Sequence, residues 1–441
     1  MAVTLGKRRT EAVQALEALQ QSERAQAGES WLTPEDFHRK LKENIHQQII
    51  SDRMDQLGGD QPHPTLNEIE AIITGRSSEQ AQKKYAEMII AATGDSLGDS
   101  FQQTEKKYAE MLQAWHLEDP TQWSRYEMPN ICYDIARICG SIEAVFARFN
   151  WPLSEFPVVG TLTTGRESAI TQPTSAGSPL ILIDNGFFKF ATIMSQLAIF
   201  APYDACYKGG FSWPTVQYVA DLAATHTVLN TCLYTYPRKV PGQFQSRVAN
   251  FQWSVATFVI AHEYAHISAG DYNAHPSNPG PRDDSRHAKE LRADKAGFTA
   301  MVEALREINA AEYGVFGPFL YLAGLDLLAR AAAAYEGQPR PALADPEYPT
   351  PFERTVSLLE WLETTDYGGE FRAQIREASE CYNTILFVWD RILPTFLAAR
   401  NELSAFDAGG VVEAYPLEDA RVFGLVQTLS QRLRADLGYS G

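Results

Sequence analysis

Two histidines four residues apart enclose a glutamate in the stretch His262-Glu263-Tyr264-Ala265-His266. On an α-helix, residues i and i+4 share a face, so two imidazoles can be aimed at one metal ion. Glu263 directly follows the first histidine and can reach a water on that ion as a general base. The residues ahead of the motif, Phe258-Val259-Ile260-Ala261, are apolar. A face that dry makes two histidines and a glutamate costly without a ligand. The competing reading is two satisfied core histidines on a packed helix.

A catalytic zinc takes three protein ligands and keeps one position for water. The metzincin continuation needs a glycine three residues after the second histidine and a further histidine three later. This chain has Ala269 and Tyr272 there, so that branch fails. The alternative is a carboxylate on a later helix, and Glu290-Leu291-Arg292-Ala293-Asp294 supplies one. Glu290 and Asp294 are again i and i+4 and face the motif helix together. One can bind the metal while the other accepts an N–H from a ligating ring. Taken alone, this segment reads as a solvated charged face, because Arg292 and Lys295 adjoin it.

The pairing of H-E-x-x-H with E-x-x-A-D on a second helix resembles the gluzincin clan of zinc metallopeptidases. It is most similar to the HtpX and CAAX-prenyl-endopeptidase type, with the Lit and ImmA/IrrE peptidases as looser relatives. The resemblance implies that Glu290 is the third ligand and that Asp294 supports a ligating ring. It also implies a zincin-like core, a helical lobe around the two motif helices with a small sheet whose edge strand holds extended substrate. A His-Pro-x-x-x-x-Arg segment often follows in that family. Here the segment reads Tyr348-Pro349-Thr350-Pro351-Phe352-Glu353-Arg354, with tyrosine in place of histidine. Tyr348 is the first choice as donor to the oxyanion, with Arg354 and His287 as the others. The resemblance spans about residues 155–362. The chain departs from it in having no membrane helices and in an insertion over about 200–248.

The elements that must position these residues follow from periodicity and breakers. The run Asn250 to Gly270 has no proline and no internal glycine and reads as a buried helix. A breaker-rich loop at 273–284 separates it from a helix over Ser285–Asn309. Strands are expected at 156–163, at Arg166–Thr171 and at Pro179–Asp184, with Asn185-Gly186 as a turn. Helices follow over Phe187–Phe200, Pro214–Tyr234, Gly314–Tyr335 and Phe352–Thr364, and two or three more run from Phe371 onwards. The expected fold class is α+β, mainly α with a small β-sheet. Three regions are expected: an N-terminal helical region at 1–125, the zincin-like domain at 126–365 and a C-terminal helical region at 366–441. The first carries Thr33-Pro34-Glu35-Asp36 as a helix start and a local repeat, residues 82–88 recurring at 105–111. Two copies suggest a helical hairpin and a place for a regulatory partner.

The chain has 441 residues, of which 45% are hydrophobic and 21% charged, an ordinary globular composition. Its net charge of −17 argues against sequence-independent nucleic-acid binding and against docking on anionic lipid. The five cysteines, Cys132, Cys139, Cys206, Cys232 and Cys381, form neither a disulfide framework nor a C-x-x-C pair. The N-terminus lacks the apolar core of a signal peptide. The most apolar run, Gly314 to Ala334, is interrupted by Asp326 and Arg330. A cytoplasmic protein with no membrane span is expected.

Two functions fit. One is a zinc-dependent endopeptidase of restricted substrate range, in which metal-activated water attacks a peptide bond with Glu263 as base. The alternative is a non-catalytic, zinc-stabilised helical module that binds a protein partner. That module needs a fourth protein ligand, for which His287, Asp271 and His275 are near enough in sequence.

Overall fold

The computed structural model of the chain describes residues 11–22, 129–153, 155–162, 165–207, 213–232, 235, 240–271, 285–338, 348–407, 432 and 436. The repeat at 82–88 and 105–111, the helix start at Thr33-Pro34 and His275 lie outside the described residues. The chain divides into two units, Met1–Gln21 with Glu29–Gly140, and Ser22–Gly28 with Ser141–Gly441. In the first unit the described residues are 11–21 of a helix over 11–22 (α1), which buries Ala12, Val13 and Leu16, and the first turns of α2 (Pro129–Arg148), which bury Ile131, Ile135, Ile138 and Cys139. Both show the spacing of a one-sided helix.

The second unit begins with the last turns of α2 and carries a three-stranded sheet: β1 (Val158–Leu162), β2 (Ala169–Pro173) and β3 (Pro179–Asp184). The strand order is β1-β3-β2, with β3 parallel to β1 and antiparallel to β2. β3 is central, and both it and the outer strand β1 are buried along their whole length, whereas the other outer strand, β2, is half exposed. Burial on both faces explains the unbroken apolar run of β3, and one-sided exposure explains the mixed sequence of β2.

Helices make up the rest: α3 (Asn185–Tyr207), α4 (Trp213–Leu229), α5 (Gly242–Ala269), α6 (Arg286–Arg306), α7 (Ala311–Gly314), α8 (Phe316–Glu336), α9 (Pro351–Glu363), α10 (Asp366–Glu370) and α11 (Arg372–Asp407). The fold is therefore mainly α with a small mixed sheet. One expected turn is absent. Helix α3 starts at Asn185 itself, and Gly186 serves close packing, since a Cβ there would lie 1.9 Å from the carbonyl oxygen of Gly165. The 200–248 stretch supplies the end of α3, all of α4 and the first turns of α5, and α4 packs on α8 and α11. Residues after 366 contribute α11, a single 36-residue helix that packs along α8, α4 and α3.

Helix α5 runs through the centre of this unit. Every residue from Ser254 to Ala265 is buried, against α6, α3 and α8. It ends at Gly270, whose left-handed φ of 76° lets its amide reach back to the carbonyls of His266 and Ile267. The stretch Ala311–Glu336 is long and apolar enough to cross a membrane, but its apolar residues are turned into the core, with Phe319, Leu320, Leu322 and Leu327 fully buried. Helices α5 and α6 make the most extensive helix–helix contact. They approach closely at Gly297, where a Cβ would lie 3.0 Å from the backbone of His262. This close approach sets the face of α6 that carries Glu290 and Asp294 directly on the motif.

Candidate metal centre

Three side chains converge where α5 meets α6. His262 Nε2 lies 3.1 Å from His266 Nε2, and each ring nitrogen lies 3.3 Å from a different carboxylate oxygen of Glu290. A tetrahedral zinc with bonds of about 2.0–2.1 Å holds its ligand atoms about 3.3 Å apart. The two ring nitrogens stand near that separation from each other, and each has a Glu290 oxygen at it. Two imidazoles with one carboxylate suit zinc and neighbouring transition metals and do not suit calcium or magnesium, which take oxygen donors. Among the described residues this is the one group of three or more such side chains close enough to hold an ion.

The far nitrogen of each ring faces an aspartate. His262 Nδ1 lies 3.0 Å from Asp294 Oδ1, although its N–H is not squarely aimed at that oxygen. His266 Nδ1 lies 3.2 Å from Asp271 Oδ2. Each aspartate in turn meets an arginine. Arg354 grips both oxygens of Asp294, at 2.8 and 2.6 Å, and stands 3.7 Å from Glu290. Arg292 reaches Asp271 at 3.0 Å. Local sequence fixes these placements. Ser285 caps α6 by accepting the amide of Ala288. Thr350 and Glu353 form a reciprocal capping box with Pro351 in the first turn of α9, and this turn delivers Arg354 to the site.

Burial disfavours charge on both rings, yet the carboxylates outweigh it. Asp294 and Glu290 raise His262 above the usual imidazole value, and Asp271 with Glu290 raises His266 to about 10. Burial by itself would push the acids up. The two rings instead hold Glu290 far below the carboxylate range, and Arg354 with His262 holds Asp294 at about 2. The carboxylates thus favour positive charge at the rings, and a divalent cation bound there displaces ring protons. Glu263 behaves differently. Burial dominates there and raises its carboxyl, against the lowering effects of His262, His266 and Thr171.

Glu263 is anchored from the sheet. Thr171 on β2 donates its hydroxyl to Glu263 Oε2 at 2.7 Å. Both residues line a cavity of about 540 Å³, together with the three donors, Phe258, Tyr321, Leu325, Arg286 and Tyr348. Tyr348 stays 41% exposed, with the Arg286 guanidinium 5.3 Å from its ring. Burial and the negative charge of Glu290 raise its hydroxyl above the usual phenol value.

The structure brings His262, Glu263, His266, Glu290, Tyr348 and Arg354 to one cavity, with Asp294 held behind His262 by Arg354. The Arg354 guanidinium is committed to Asp294 and Glu290. His287 stands outside the donor group, and Asp271 faces the back of a ring. Thr171 and Gly297 were missed by the sequence reading. Thr171 lies 92 residues from Glu263, and nothing local in either stretch announces the contact. Compared with protein-family models, with curated proteins and with solved structures, the chain matches none.

Proposed function

We propose that this chain is a zinc-dependent endopeptidase of restricted substrate range, of the gluzincin kind, acting on a protein or peptide in the cytoplasm. The observation that carries the proposal is the triangle of His262, His266 and Glu290, open to a cavity with Glu263 beside it. A closed structural site needs four protein ligands. The donor group among the described residues has three, which favours the enzyme over the zinc-stapled binding module. An ion held there supplies an acidified water and a Lewis acid for the substrate carbonyl.

The chain's own groups do the rest. Glu263 takes the proton from the attacking water and passes it to the leaving amine. Thr171 occupies Oε2 and leaves Oε1 of Glu263 for the proton. Tyr348, which lines the cavity with Arg286 over its ring, donates to the oxygen on which negative charge develops. Arg354 positions Asp294 and Glu290. Strand β2 is a half-exposed outer strand along the cavity and suits an extended peptide bound through its main chain. Phe258, Tyr321 and Leu325 suit an apolar side chain near the scissile bond.

A pooled fluorogenic peptide library and intact proteins test this reading. Wild-type protein loaded with one zinc should cleave a subset. Glu263→Gln should keep the zinc and lose about 10²–10⁴-fold in rate. Tyr348→Phe should keep the zinc and lose about 10²–10³-fold in kcat. Cleavage that survives Glu263→Gln contradicts the mechanism.

A further inference from the structure

Asp271 is the one acidic group at the centre to which the sequence pattern gives no role other than a possible fourth ligand. Its placement is specific. Gly270 turns the chain at the end of α5, so that Asp271 comes to lie behind His266. Its side chain is 8% exposed and meets three cationic or ring nitrogens. Oδ2 stands 3.2 Å from His266 Nδ1, Arg292 Nη2 stands 3.0 Å from Oδ1, and Lys289 Nζ stands 3.7 Å from Oδ1. Lys289 immediately precedes Glu290, and Arg292 follows it by two positions. One carboxylate therefore holds the ring of one donor and both flanks of another.

We propose that Asp271 is a positioning residue for two of the three metal-binding side chains, His266 through its ring and Glu290 through Lys289 and Arg292. The contact to Nδ1 fixes the ring in the tautomer that turns Nε2 towards the metal. The contacts to α6 fix how far the first turns of that helix advance along α5, and so where the Glu290 carboxylate sits. A ligand and the helix carrying the next ligand are thereby set by a single group. The proposal rests on the metal centre and is independent of the peptidase chemistry.

The test uses full-length protein with zinc alone as the probe. Zinc affinity is read by chelator competition, and the histidine rings by ¹⁵N-correlated NMR of the zinc-loaded state. Asp271→Ala should weaken zinc by about 10–100-fold and should broaden or shift the His266 ring signals while leaving those of His262 in place. Asp271→Asn keeps an acceptor oxygen and should restore the His266 tautomer and most of the affinity. Paired Lys289→Ala and Arg292→Ala changes leave Asp271 on the ring and should weaken zinc less than Asp271→Ala, with the His266 signals intact. If Asp271→Ala does not fold, Asp271→Asn and the paired change still decide the outcome. Affinity within about twofold of wild type in Asp271→Ala, with the His266 signals unmoved, overturns the role of Asp271 while leaving the metal centre standing. An unchanged affinity in the paired variant overturns the Glu290 half. Wild-type protein that takes up no zinc overturns the centre itself, and this role with it.

Discussion

The two imidazoles of the centre are backed by the same chain of groups, ring to aspartate to arginine, in opposite surroundings. His262–Asp294–Arg354 is sealed inside: the side chains of Asp294 and Arg354 are only 2% and 9% exposed, and three helices, α5, α6 and α9, supply them. His266–Asp271–Arg292 lies at the rim, where Arg292 is 48% exposed and only the end of α5 and the start of α6 take part. A buried ion pair is stable when complete and strongly destabilising when one partner is lost. An exposed partner is replaced by water at little cost. The inner chain therefore acts as scaffold for the junction of three helices, whereas the outer one sets the donors without carrying the fold.

The largest expected effect lies on the inner chain. Arg354→Met leaves Asp294 and Glu290 without their buried cation and should cost about 3–5 kcal/mol in denaturant unfolding of the metal-free protein. The double change Arg354→Met with Asp294→Leu should recover part of that loss.

Gly297→Ala should come next, at about 1–3 kcal/mol, because the added Cβ presses on the backbone of His262 and forces α6 outward. It should also weaken zinc binding by separating Glu290 from the rings. A variant with wild-type affinity and stability means the helices can part at that point without consequence.

Acid sharpens the contrast further. The ordinary aspartate value is 3.8, and Asp294 is held at about 2, because Arg354 and His262 overcome the effect of burial. A depressed carboxyl contributes stability above its unfolded pKa, and the contribution disappears as pH falls through its folded pKa. The stability gap between wild type and Arg354→Met, measured without metal, should therefore shrink between pH 3.8 and about 2. A gap that stays constant over that range contradicts the charge pairing.

The smallest effect belongs to the rim. Arg292→Met should change unfolding free energy by no more than about 1 kcal/mol. If the two arginine replacements cost the same, the distinction between scaffold and rim disappears.

What was legible in the sequence was the local part of this centre. His262, Glu263 and His266 are related by one helical turn, as are Glu290 and Asp294, and helical spacing is a property the chain writes out in order. Strand β3 was legible because burial on both faces makes it an unbroken apolar run. Strand β2 was expected to start three residues and end two residues too early, since a half-exposed outer strand has no such run, and its Thr171 contact to Glu263 joins distant segments. Asn185-Gly186 carries turn chemistry, yet close packing on Gly165 claims the glycine for a helix start. Asp271 was legible only as a possible fourth ligand, and the folded chain shows it instead behind His266. Arg354 was legible as a site residue, and its role followed from the bidentate grip on Asp294.

The central claim is an open metal centre with three protein donors. Zinc-edge X-ray absorption on the full-length protein, loaded with one equivalent of zinc, tests it most directly. The account predicts a first shell of two imidazole nitrogens and one carboxylate oxygen plus a water-type oxygen at about 2.0–2.2 Å, with no sulfur. Glu290→Ala should remove one protein oxygen and sharply weaken the binding. A third imidazole, a sulfur, or a fourth protein donor in the wild-type shell contradicts it, because the position the reaction needs would then be closed.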